Sequence, residues 1–223
     1  MNLVIAKLIM RLAKKRNCNM AVLTEKQIKY GFDYYHKDEK RIKSVVEVSE
    51  YDGEDKLIIN CTQLDEDYSA KDKKRILQEW CSFLVEHPDI FTELMFCTRM
   101  PQELFDAVCA QRRLKRLHIK WGVYPDILKL ENLQELEYLH IGSGRSVSSL
   151  EPISRLVNLV ALSIENFQQI DDYAPLANLK HLESLALEGD FAAPKILKVQ
   201  SLEFLRHMKQ LRFFSLLTAK VID

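Results

Sequence analysis

No charge of one sign prevails in this chain. Lys plus Arg number 32 and Asp plus Glu also 32, so the formal net charge is zero. A chain so balanced offers no global field for a nucleic acid or an anionic membrane surface. Long hydrophobic runs are lacking too: none reaches the ~18 residues that a membrane span needs. The five cysteines (Cys18, Cys61, Cys81, Cys97 and Cys109) are odd in number and include no Cys-x-x-Cys pair. This argues against a disulfide framework and for reduced, mostly buried thiols in a cytoplasmic protein. Catalytic signatures are absent: there is no GxSxG, HExxH, Walker loop or GxGxxG. Gly142-Ser143-Gly144-Arg145-Ser146 follows an expected strand, as a phosphate loop would, but lacks the Lys-Ser/Thr and reads as a turn. Neither enzyme activity nor a cofactor is expected.

Charge is nevertheless unevenly spread. The first 24 residues carry Lys7, Arg11, Lys14, Lys15 and Arg16 and no acid, whereas Asp52 to Asp72 is mostly acidic. Residues 2–16 read as an amphipathic helix, with Leu3, Ile5, Leu8, Ile9 and Leu12 near one face. Three roles compete for it: a targeting or membrane-surface helix, a terminal cap packed on the body, or an over-called start ahead of Met20. Thr24 and Gln27 have capping-box spacing, which opens a helix from about Glu25 to His36. The aromatics Tyr30, Phe32, Tyr34 and Tyr35 are better read as packing of a small cap than as a base-stacking platform. Val45, Val46 and Val48, then Asp52-Gly53, then Leu57, Ile58 and Ile59 read as a β-hairpin. Ser69 and Asp72 open a helix that runs to about Glu86 and stops before Pro88, with Ile76, Trp80 and Leu84 as its core stripe. Strands at Leu94–Phe96 and Leu117–Ile119 then flank a helix over Gln102–Arg112. Residues 1–90 are expected to form a cap of helices plus a hairpin that merges into a solenoid over 91–223.

What the chain does have is a phrase, apolar-x-x-apolar-x-apolar. It occurs at Phe91, Leu94, Phe96; Leu114, Leu117, Ile119; Leu136, Leu139, Ile141; Leu159, Leu162, Ile164; Leu182, Leu185, Leu187; and Leu211, Phe214, Leu216. The first positions are 23, 22, 23, 23 and 29 residues apart by subtraction. A fixed period in this range is the mark of a solenoid. Each unit gives one short strand, and the strands stack in parallel with the three apolar positions inward. Later apolar residues such as Leu130, Ile153 and Leu176 close the core from the other side. Pro152 and Pro175 occupy matching places, at the start of a turn or short helix where a missing N–H costs little.

The stretch Ile170-Asp171-Asp172-Tyr173-Ala174-Pro175-Leu176-Ala177-Asn178-Leu179, followed by Leu182-Glu183-Ser184-Leu185-Ala186-Leu187, resembles the leucine-rich repeat family, most nearly its short bacterial, internalin-like type. The resemblance is strong from Leu114 to Leu187. It implies an α/β solenoid with a parallel concave sheet and helices or irregular turns outside. It also implies a non-enzymatic protein–protein interaction module, or alternatively a regulatory or inhibitory subunit of an enzyme complex, toxin-neutralising or phosphatase-regulating. The family's asparagine, three residues past the last strand position, is replaced by Gly122, Gly144, Phe167 and Asp190, so the turns must be tied in another way.

Alternate strand positions should face outward: Glu93 and Met95, Arg116 and His118, Tyr138 and His140, Ala161 and Ser163, Ser184 and Ala186. The candidate partner-binding residues are Arg116, His118, Lys120, Trp121, Tyr138, His140, Glu165 and Glu188, for a protein partner rather than a nucleic acid. His118 and His140 sit side by side but lack a third ligand, so no metal is expected. Two expectations concern the last unit. Its surplus residues, near Phe191 to Lys198, should bulge from the body. Leu216, Leu217 and Val221 should form an uncapped edge open to self-association, or mark the chain as a fragment.

Overall fold

The repeating phrase builds a sheet. The structure, a computed structural model, describes residues 6–11, 21–30, 42–190 and 195–222. The strands and helices are β1 (Ala6–Arg11), α1 (Glu25–Tyr30), β2 (Lys43–Val45), β3 (Lys56–Ile59), α2 (Ala70–Glu86), β4 (Glu93–Phe96), β5 (Met100–Pro101), α3 (Gln102–Val108), β6 (Arg116–Ile119), β7 (Gly122–Val123), β8 (Tyr138–Ile141), α4 (Glu151–Ser154), β9 (Ala161–Glu165), β10 (Ser184–Glu188), β11 (Leu197–Val199) and β12 (Phe213–Val221). The large sheet runs in the order β1-β12-β10-β9-β8-β6-β4-β3-β2, with β11 paired beside β12. Every pairing in it is parallel except that of β1 with β12. It crosses residue 90 without a break, through the β3–β4 pairing.

The apolar phrase sets the register. Leu94, Leu117, Leu139, Leu162, Leu185 and Phe214 lie side by side across β4, β6, β8, β9, β10 and β12. Phe96, Ile119, Ile141, Ile164, Leu187 and Leu216 form the second inward row. Both rows are buried in one core with Ile76, Trp80 and Leu84 of α2 and with Leu130, Ile153 and Leu176 of the later turns. Ser69 caps α2 by accepting from the Asp72 N–H. Trp80 is wholly buried and donates its indole N–H to the Val46 carbonyl, at 2.7 Å. The helices shorten along the chain, from the 17 residues of α2 to the four of α4 and the 3-10 turns at Ala174–Asn178 and Glu203–His207.

Main-chain bonds between neighbouring turns do the work of an asparagine ladder. Gly142 N–H donates to Ile119 O (2.8 Å), Gly144 N–H to Glu165 O (3.1 Å), Asn166 N–H to Glu188 O (2.7 Å) and Gly189 N–H to Leu217 O (2.9 Å). Phe167 is buried and packs so closely on Gly144 that a Cβ there would overlap its ring. A Cβ at Gly142 would overlap the Lys120 carbonyl, which is main chain and cannot rotate away. Gly142→Ala is therefore expected to destabilise by about 1–3 kcal/mol. A urea midpoint equal to that of the parent protein would show the turn to be looser than described. On the outer surface, ion pairs join equivalent places of successive units: Asp89–Arg112, Asp106–Lys129 (2.7 Å) and Glu131–Arg155 (3.0 Å).

Four expectations require correction. The first is the helix over 2–16: Ala6–Arg11 is a strand, paired antiparallel with β12 from Ala6↔Ala219 to Arg11↔Phe213. Local amphipathicity loses here to the main-chain donors and acceptors that the nine-residue β12 presents along its outer edge. The remainder of that segment lies outside the described residues. The second correction follows from the first. The C-terminal edge is not open, because the chain's own β1 covers it. Thirdly, β2 and β3 are parallel neighbours, Lys43↔Leu57 to Val45↔Ile59, and not a hairpin. The helical turn Val48–Glu50 and the Gly53 turn, at φ 97°, carry the chain back so that β3 starts beside β2 in the same direction. Fourthly, the end of the last unit's surplus does not bulge, while residues 191–194 lie outside the described residues. Leu197–Val199 forms β11 beside Ala219–Val221, with Leu197 and Val199 buried. The capping box is present: Gln27 N–H donates to Thr24 Oγ1, and Thr24 N–H to Gln27 Oε1. The continuation of α1 towards His36 lies outside the described residues, as do Phe32, Tyr34 and Tyr35.

Candidate functional site

Because the inward register is fixed, the outward one follows. The first outward row reads Lys56, Glu93, Arg116, Tyr138, Ala161, Ser184 and Phe213. The second reads Ile58, Met95, His118, His140, Ser163, Ala186 and Ser215. These are the positions expected from the two-residue alternation of strands.

The first row is a network of charges. Glu93 is buried between two cations, with Lys56 Nζ at 3.7 Å and Arg116 Nη1 at 3.5 Å. The Arg116 guanidinium lies over the Tyr138 ring, 4.8 Å from its centroid. A planar cation on an aromatic face is favourable, more so where water is partly excluded. Burial is the main reason why the Tyr138 phenol is pushed above its ordinary value, and Arg116 opposes it. In the second row His118 and His140 stack, with ring centroids 4.3 Å apart and planes within 11°. His140 Nδ1 is 3.0 Å from Ser163 Oγ. The side-by-side placement read from the sequence is thus realised as a stack. Among the described residues no group of three His, Cys, Asp or Glu is placed to hold a metal ion.

Lys120 and Trp121 follow β6; the first is exposed and the second half-buried. Glu165 and Glu188 end β9 and β10 in register with each other. The Glu165 carboxylate lies beside Gly142. The structure therefore sets two contact pairs in neighbouring rows of one face, Arg116 on Tyr138 and His118 on His140, and places Glu165 and Glu188 together further along. It does not leave the whole face exposed. Tyr138 is 5% exposed, Ala161 0%, Ser163 3%, Ser184 0% and Ala186 5%.

Part of that burial comes from an element that sequence reasoning had not placed. Residues 22–28 lie across the starts of β8 and β9. Leu23 is buried with Tyr138, Val160 and Ala161, and Ile28 packs beside them. Glu183, immediately before β10, accepts from the Val22 N–H (2.6 Å) and the Leu23 N–H (3.2 Å). Arg212, immediately before β12, donates to Glu183 (2.9 Å), to the Leu23 carbonyl (2.9 Å) and to Glu25. Glu183 and Arg212 hold equivalent places in successive units, and their opposite charges were legible in the sequence. Their tie to a segment 160 residues before Glu183 and 189 before Arg212 was not.

The wider likenesses are these. An internalin C2 from Listeria monocytogenes str. 4b F2365 is 18% identical, covers 72% of this chain and is covered over 67% of its own, with a TM-score of 0.46. An internalin (inlF) from the same strain is 17% identical over 60% of this chain and 44% of its own, with a TM-score of 0.41. Neither a family model nor a curated protein sequence matches the chain. No helix among the described residues is long and apolar enough to cross a membrane. On its own geometry, then, the chain is a repeating stack of parallel strands joined by helices and short turns, with the antiparallel β1 at the β12 edge.

Proposed function

We propose that this chain is a non-enzymatic protein-binding module and that its partner docks on the concave side, against Arg116, His118, Lys120, Trp121, His140, Glu165 and Glu188, with the buried Tyr138 as the ring on which Arg116 rests. The observation that carries this is the order already present in the outward rows. Glu93 fixes Arg116, Arg116 lies on Tyr138, and His118 and His140 stack beside them. Long side chains held in one geometry lose little entropy on association, which is what a recognition surface needs. Arg, Tyr and Trp are also the types that dominate binding hot spots. Lys120 and Trp121, beyond the strand ends, give the partner its approach, and Glu165 with Glu188 supplies negative charge at the far side.

The test is a double substitution, Lys120→Glu with Trp121→Ala, assayed by calorimetry with a partner captured by pull-down. Affinity is expected to fall at least tenfold, about 1.4 kcal/mol. The outer-surface substitution Val157→Ala should leave it unchanged. Affinity within twofold of the parent in the double variant would rule out the concave side as the docking face.

A further inference from the structure

The segment at residues 22–25 is held in the way a recognition site holds a peptide. Two successive main-chain N–H groups, of Val22 and Leu23, donate to the two oxygens of one carboxylate, Glu183. The next acceptor, the Leu23 carbonyl, takes a bond from Arg212. These contacts read the backbone where it bends at Leu23 into the first turn of α1. Selectivity comes from two side chains. Leu23 is 5% exposed in an apolar seat made by Tyr138, Val160 and Ala161, and Glu25 pairs with the same Arg212. Val22 points to solvent at 54% exposure, over a groove of about 400 Å³. That groove continues along the strand ends past Lys115, Glu137 and His181, so the site is longer than the four residues that use it.

Two further observations separate this segment from the scaffold. The Leu23 seat is a cluster distinct from the main core, so emptying it opens no cavity among the inward rows. Few buried contacts hold it, which is the condition for local opening well below global unfolding. Glu183 and Arg212 remain paired with each other when it leaves, at 2.9 Å, so neither buried charge is stranded.

We infer that the Glu183–Arg212 site is a recognition site for a peptide that bends into a helical turn and bears a leucine followed two residues later by an acid, and that residues 22–25 are its tethered occupant. The chain's own segment competes with a partner's for the seat between Tyr138 and Ala161. This rests on the protein-binding reading above and adds to it the partner's chemistry and its control. A tethered ligand acts at an effective concentration near millimolar, so a free peptide binds appreciably only once the tether is weakened.

The experiment uses the full chain and a fluorescein-labelled peptide of residues 21–28, read by anisotropy. Leu23→Asp empties the seat in cis. The peptide is expected to bind this variant at least tenfold more tightly than the parent protein. Binding should be lost when Arg212→Ala is added, and lost again with a peptide whose leucine is replaced by aspartate. Circular dichroism confirms that each variant is folded, and Leu23→Ala serves if the aspartate variant is not. Equal binding with and without Arg212→Ala overturns the proposal, as does the absence of saturable binding to the folded, unlatched variant. The Lys120 and Trp121 test reads the opposite ends of the strands with a different ligand, so either reading can fail without the other.

Discussion

Gln111→Leu should destabilise this protein by about 3–5 kcal/mol. Gln111 is wholly buried and bonds four main-chain groups at once. Its Oε1 accepts from the Ile90 N–H (3.1 Å) and the Phe91 N–H (3.3 Å). Its Nε2 donates to the Leu84 carbonyl (2.6 Å) and the His87 carbonyl (2.9 Å). The end of α2, the turn after it and the approach to β4 are thus fastened to the turn that follows α3. Leucine has nearly the same volume, so no large cavity forms and the substitution isolates the polar term. Buried donors and acceptors left without partners cost about 1–3 kcal/mol each, discounted for those that relax towards water. Urea unfolding followed by circular dichroism reads the result as a lower midpoint with an unchanged slope. A loss below about 1 kcal/mol would mean that water reaches this corner and that the side chain is not its fastener.

Leu162→Ala is expected to cost about 2–5 kcal/mol, and Leu185→Ala about the same. Both are wholly buried, adjacent in the inward row between Leu139 and Phe214. Each truncation leaves a cavity bounded by strands that cannot close on it, because their spacing is set by main-chain hydrogen bonds. The two sites touch, so the double variant should depart from the sum of the single effects. Chemical denaturation of all three proteins tests this. A loss below about 1 kcal/mol for either single variant would place the row in the wrong register. Ser163, one residue on from Leu162, faces the other side of the sheet and shares a contact with His140, so the register is sharply defined.

Much of the solenoid was legible because its cause is local and periodic. The inward rows, the outward rows, the Ser69 cap and the Ile76, Trp80, Leu84 stripe all follow from spacing along one stretch of chain. The hairpin reading of Val45 to Ile59 failed for a related reason. Two β-branched runs around Asp-Gly fit a hairpin, but the connection is long enough for the Val48–Glu50 turn to bring β3 back parallel to β2. Sequence pattern locates strands more surely than it orients them. The candidate site was legible to the same degree. The neighbours His118 and His140 were placed correctly, because adjacency across parallel strands follows from the repeat. Burial of Tyr138 and Ala161 was not, because it depends on residues that arrive from elsewhere in the chain.

What the sequence by itself determined is therefore the repeat: period, register, the face each side chain takes, and the lack of an asparagine to tie the turns. The tertiary structure alone decided what the two ends of the chain do. Ala6–Arg11 becomes a strand because β12 offers an unpaired edge, and Leu23 is buried because Glu183 and Arg212 hold the main chain around it. Gln111 becomes a fastener only because α2 and the turn before β4 bring their carbonyls and N–H groups to it. In each case the deciding partner is remote in sequence. Hydrogen bonds between distant segments are set by where the packed repeat leaves donors and acceptors unsatisfied, and no local periodicity records that.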